Sequence, residues 1–159
     1  MSLVQQAQTA LANLCCPAQF EQPINVSGSG QRFSVNLTAI DSIACAFTDF
    51  TLESDKLAPA PIEQLRKVAE NLSARLTYLL EAIRPIEIDP DQCVVQMRSS
   101  PPQRNEDRTS YYELLVAKGG RLTLSRYEKP SGGLRQVVPA HLTREVFWRL
   151  LRDFSEVAG

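Results

Sequence analysis

The chain has 159 residues, with 17 Lys/Arg against 18 Asp/Glu for a formal net charge of −1, and is 43% hydrophobic. That length fits one domain of about 100–200 residues with its own core, which needs neither a disulfide nor a metal to fold. The near-neutral charge argues against a dedicated nucleic-acid binder, and Gln5, Gln6, Gln8, Thr9 and Asn13 interrupt the longest uncharged region, so it reads neither as a membrane span nor as a signal peptide.

Leu3, Val4, Ala7, Ala10, Leu11 and Leu14 recur at helical spacing, and Pro17 stops the pattern, which predicts an amphipathic helix over residues 1–16. It carries no charge between Ser2 and Cys16, so it is expected to pack on both sides. Residues 17–31, rich in Gly, Ser and Pro, read as a flexible connection. Phe33, Val35 and Leu37 alternate, as do Ile43, Cys45 and Phe47, and Asp41-Ser42 suits the turn between them. Phe50 and Leu52 lie on the opposite phase. This predicts a bulge near Thr48-Asp49, or a strand buried on both faces.

A second helix starts at Pro61, where the ring suits the first turn. Its stripe is Ile62, Leu65, Val68, Ala69, Leu72, Leu76, Leu79, Leu80 and Ile83, with Glu63 and Lys67 paired on the wet side and Arg84-Pro85 as its stop. Strands follow at about 93–97, 110–118, 121–127 and 134–138. Gly119-Gly120 reads as a two-residue hairpin turn. Lys118 would then face Arg121, Glu113 would face Arg126, and Tyr112 would face Tyr127. In that register one face carries Leu115, Ala117, Leu122 and Leu124, and the other Tyr112, Leu114, Val116 and Tyr127, so both are partly apolar. Thr143 caps the last helix, Leu142 and Phe147 form a staple across its start, and Val146, Phe147, Leu150, Leu151 and Phe154 face inward.

These elements give a single α+β domain over 1–159, with residues 32–159 forming its sheet and helices. It is expected as an antiparallel β-sheet of five or six strands with two or three helices packed on it, in the order α-ββ-α-βββ(β)-α. In this element order, its size and its acidic pI of about 5.9 the chain resembles the small dimeric chaperones of type III secretion, a likeness of architecture carried by no residue motif.

Cysteines stand at 15, 16, 45 and 93 without a CxxC pair, and His141 is the only histidine, so no zinc set is visible. Neighbouring Cys15 and Cys16 are poorly placed to bridge each other. All four read as reduced packing residues, which points to the cytoplasm. Glu87, Asp89 and Asp91 alternate in "EIDPDQ", but the run lacks the glycine and distal glutamate of a calcium loop and reads as a turn. The glycines of "SGSG" and "SGG" precede strands and form turns rather than phosphate cradles. Any Ser/His or Cys/His catalysis must use His141, and no GxSxG elbow accompanies it. No metal, cofactor or catalytic residue is therefore assigned.

One distribution is uneven. Residues 93–135 hold eight Lys/Arg against four Asp/Glu, while residues 1–92 hold six against eleven. Arg98, Arg104, Arg108 and Arg126, with Tyr111, Tyr112 and Tyr127 interleaved, form the candidate partner-binding surface, since guanidinium groups and flat phenols suit an acidic partner. The bland alternative is a solvated face whose charges protect strand edges. The leading expectation is a non-enzymatic cytosolic binding or assembly factor, chaperone-like and homodimeric. The alternatives are a binder of an anionic ligand or nucleic acid through the basic region, and a small enzyme with His141 as general base.

Overall fold

The structure, a computed structural model, describes residues 1–14 and 21–159. In chain order the elements are α1 (Leu3–Ala12), β1 (Gln22–Gly28), β2 (Gln31–Ile40), β3 (Ala44–Ser54), α2 (Ile62–Arg75), β4 (Ala82–Asp89) and β5 (Val94–Ser100). Then follow β6 (Gln103–Arg104), β7 (Arg108–Ala117), β8 (Arg121–Pro130), β9 (Gln136–Val138), β10 (Ala140–Thr143) and α3 (Arg144–Ala158). The strands form one antiparallel sheet along the path β1-β2-β3-β8-β7-β5-β4, with β6 beside β7, β9 beside β8 and β10 beside β3. The class is α+β as expected. Among the described residues the sheet has ten strands rather than five or six, because several segments read as something else in the sequence.

Two of those segments are β1 and β4. The stretch expected as a flexible connection contains β1, all seven residues of which pair with β2, with Ile24 opposite Val35 and Val26 opposite Phe33. Its Gly and Ser serve the turn, where Ser29 and Gly30 take positive φ. The second helix ends at Arg75 instead of running to residue 83. Leu76, Leu79 and Ile83 are buried all the same, but from a loop and from β4, so their helical spacing is coincidental. Past Thr77 and Tyr78, "AIRPIEID" takes up strand geometry and pairs with β5.

A capping box of Ser2 and Gln5 starts α1, which buries Leu3, Ala7 and Leu11 against β1 and α3. Its other side, Gln5, Gln8, Thr9 and Ala12, is exposed, so it packs on one face and not on two. Uncharged amides are enough to keep that side wet. The Cys15–Cys16 question lies outside the described residues. Cys45 and Cys93 are free, and burial pushes the Cys45 thiol up to about 12.

The first hairpin turns on Asp41, whose Oδ1 accepts the N–H groups of Ile43 at 2.7 Å and Ala44 at 2.8 Å. Those backbone bonds hold its carboxyl below the usual carboxylate range. The bulge near Thr48-Asp49 is present. Register steps from Ser34–Thr51 to Asn36–Thr48, and Asp49 takes φ +56°. The extra residue lets Phe47 and Phe50 both reach the core, where they meet Phe147 edge-on.

The β7–β8 turn differs by one residue from expectation. Ala117 pairs with Arg121, so the turn holds three residues, with φ of +82° at Gly119 and +72° at Gly120. Gly120 also lies too close to the Ser54 carbonyl to admit a side chain. Tyr112 consequently faces Arg126, and Tyr111 faces Tyr127. A slip of one changes which residues share a face. Tyr112, Leu114, Val116, Leu122 and Leu124 all turn to one side and are buried there.

The helices α1, α2 and α3 pack on that side, with α2 over β4, β5 and β7, and α3 over β3 and β10. Each fully buried leucine or phenylalanine there contributes about 1.5–3 kcal/mol. Among the described residues no helix covers the other side, which we term the open face. Strand register places Ser34, Thr51, Thr123, Ser125 and Gln96 on it. The same register puts half-buried Val94, Leu115 and Ala117 beside them, so the middle of this face is partly apolar.

At one end of the sheet β3 and β8 separate after Phe50–Leu124, and β9 and β10, meeting at Pro139, fill the gap. The single strand expected over 134–138 is thus replaced by two short ones. Thr143 Oγ1 accepts the Val146 N–H at 3.2 Å and caps α3, with Phe147 buried behind it, as expected.

Candidate functional site

Strand alternation divides the predicted basic surface among three places. On the open face, Arg98, Tyr111 and Tyr127 join Gln96, Glu113 and Arg135. On the helix side, Tyr112 and Arg126 join Glu81 and Ser99. Arg104 and Arg108 lie at the far tip, where Arg108 pairs with Glu128 at 2.6 Å and Arg104 is exposed.

The open-face cluster centres on Glu113, a buried carboxylate on β7. Its Oε2 accepts Arg135 Nη1 at 2.6 Å, Gln96 Nε2 at 3.1 Å and Arg98 Nη2 at 3.3 Å. Tyr111 and Tyr127 stack across the β7–β8 ladder with centroids 5.9 Å apart. Arg98 lies 4.6 Å from the Tyr111 centroid and Arg135 lies 4.0 Å from that of Tyr127. Hydrogen bonds with Tyr111 and Glu113 raise the Arg135 guanidinium above its ordinary pKa. Arg135 thereby fastens the segment after β8 onto the sheet. Arg98 is held less well, because its Nε is buried with no acceptor.

On the helix side, Glu81 Oε2 accepts Arg126 Nη1 at 3.1 Å and its Oε1 accepts the Ser99 hydroxyl at 2.8 Å. Ser99 in turn accepts the Tyr112 N–H at 2.8 Å, and Arg126 sits 4.6 Å from the Tyr112 centroid. Burial raises the Tyr112 phenol pKa. This group floors a cleft of about 400 Å³, walled by Tyr78, Leu79, Leu80, Leu142 and Val146 and edged by Gln103, His141 and Thr143. Tyr78 donates to Asp153 Oδ2 at 2.6 Å under the Arg149 guanidinium. Leu80, on the rim, takes φ +65°, a conformation that costs a branched residue about 1–3 kcal/mol.

His141 is exposed on β10, and its register partner is Ala46. Among the described residues Glu81 is the only carboxylate lining the cleft, and it is engaged by Ser99 and Arg126. Among the described residues no hydrogen bond reaches the His141 ring, and no group of three His, Cys, Asp or Glu side chains is placed to hold a metal ion. Asp89 Oδ1 instead accepts the N–H groups of Asp91 and Gln92, closing the turn read from "DPDQ".

The feature that sequence reading missed is β4, the end strand of the sheet path. Leu80 just before it is 90% exposed, and Ile86 and Ile88 within it are 52% and 41% exposed. Ile86 is the bulged residue between Pro85–Met97 and Glu87–Gln96, without a register partner. The alternation in "IRPIEI" was the available signal, and the leucine-rich helical stripe running into it concealed it. No protein-family model, curated protein or solved structure matches the chain.

Proposed function

We propose that the protein is a non-enzymatic, cytosolic protein-binding module that assembles as a homodimer through β4. The observation that carries this reading is a strand that, among the described residues, pairs with a neighbour on one side only, with three exposed aliphatic side chains, Leu80, Ile86 and Ile88, within nine residues. A free edge is a template for another strand, and apolar side chains beside it add the burial that makes pairing specific. Pairing with a second copy satisfies both edges at once under two-fold symmetry. The opposite edge, β1, has α1 packed beside it. Free Cys45 and Cys93 fit a reducing compartment.

Light scattering on the purified chain tests this. The wild type is expected at twice the chain mass. Ile86→Lys places a charge on the edge and is expected to give the monomer with an unchanged circular-dichroism spectrum. A strictly monomeric wild type at high concentration defeats the proposal.

A further inference from the structure

We infer that the open face next to β4 is a docking site for an acidic protein segment, with Arg84 and Arg98 receiving its carboxylates. The inference rests on the reading of the protein as a binding module but not on its oligomeric state.

The first observation is a like-charge pair. Arg84 on β4 and Arg98 on β5 are direct register partners, so both guanidinium stems leave the same face of adjacent strands. Like charges directly opposite in an antiparallel pair repel. Arg84 is exposed and makes no ion pair among the described residues.

The second observation is an oversubscribed carboxylate. One oxygen of Glu113 serves three donors, and Arg98 holds the longest of the three bonds. Arg98 engages it through Nη2 alone, its Nε has no acceptor, and its side chain is 37% exposed. Arg98 and Arg135 therefore share one buried carboxylate, while Arg84 stands one strand further out without an ion pair among the described residues. Glu87, the next acid along β4, is opposite Gln96 and makes no ion pair among the described residues.

The other end of the open face provides the control. There Arg32 pairs with Glu53 and Asp55, and Arg121 approaches Glu53, two cations against two anions. The end beside β4 sets Arg84, Arg98 and Arg135 against Glu87 and Glu113, a surplus of one cation. A carboxylate placed between Arg84 and Arg98 converts their repulsion into two charge-assisted hydrogen bonds. The chain's net charge of −1 favours an acidic protein segment over a nucleic acid, whose many phosphates require a broadly basic surface.

The probe is a fluorescein-labelled hexaglutamate peptide, followed by anisotropy at low and moderate salt, with a single-stranded oligonucleotide of equal charge in parallel. The wild type is expected to bind the peptide with affinity that falls as salt rises, and to bind it more tightly than the oligonucleotide. Arg84→Gln with Arg98→Gln is expected to weaken peptide binding about tenfold and flatten the salt dependence. Arg84→Gln alone alters only an exposed side chain, so it tests the site even where the double variant melts early. The Arg98 Nε–H resonance is expected to shift on titration. Retained affinity in Arg84→Gln and in the double variant, or tighter binding of the oligonucleotide, overturns the inference. Light scattering on the same samples separates the two proposals. A monomer that binds the peptide ends the homodimer reading and leaves the site standing, whereas a dimer that ignores the peptide does the reverse.

Discussion

Glu81 and Glu113 are both buried carboxylates held by arginine beside a tyrosine, on opposite sides of the same sheet. Adjacent residues of β7 and β8 supply both groups, since Tyr111 and Tyr127 turn one way while Tyr112 and Arg126 turn the other. The chemistry is the same and the solvent is not. The side chain of Arg126 is 14% exposed, whereas those of Arg98 and Arg135 are 37% and 40% exposed. A guanidinium enclosed with its carboxylate is a fixed part of the architecture. One that reaches water on its far side can exchange partners. Accessibility of the cation, rather than residue type, separates a structural arginine from one available for recognition.

The largest expected effect follows from removing the carboxylate on the enclosed side. Glu81→Ala leaves Arg126 buried without its counter-ion and Ser99 without an acceptor, a loss of about 3–5 kcal/mol. Urea denaturation measures it directly. Glu113→Ala is expected to cost less, about 1–3 kcal/mol, because Arg98 and Arg135 can regain water. It should also release the segment that Arg135 fastens, seen as faster hydrogen exchange at β9 than at β5. Equal losses for the two glutamates would break the comparison. The smallest effects belong to the tip. Arg108→Ala removes an exposed pair with Glu128 worth about 0–1 kcal/mol, and Arg104→Ala should stay within about 0.5 kcal/mol. A larger loss at either residue, in the same urea titrations, would place the tip among the structural clusters.

Much of the fold was legible because its signals are local. The Thr143 cap, the Asp41 turn, the bulge at Asp49 and the stripes of α2 and α3 each depend on neighbours within a few positions. The failures were of two kinds. At residues 76–83, apolar spacing that suits a helix is produced by a loop and a strand, and only pairing with β5 decides between them. At Gly119-Gly120, a turn longer by one residue exchanged the two faces of β8 relative to β7, so Arg126 left the open surface for the helix side. The arginine and tyrosine clusters draw most of their residues from the stretch read as basic. Their grouping was not legible, because Glu81 and Arg84 enter from a separate segment and Arg135 returns from the loop after β8. None of these three has a sequence signal tying it to Arg98 or Arg126.

The junction where β8 leaves β3 also bears on how the chain acquires its structure. Strands β1, β2 and β3 form one meander with short connections, and β4, β5, β7 and β8 form another. The two are joined through β3, by four register pairs to β8 and four to β10. Those partners lie about 70 and about 95 residues apart along the chain, so this seam carries the largest loop-closure cost in the sheet. During synthesis the first meander is complete long before residues 121–143 emerge. Until then β3 stands as a bare edge, with Phe47, Phe50 and Leu52 lacking the cover that β8, β10 and α3 later provide. The nascent chain is thus most prone to mispairing in that interval, and its last two short strands and final helix act as the closure that ends it.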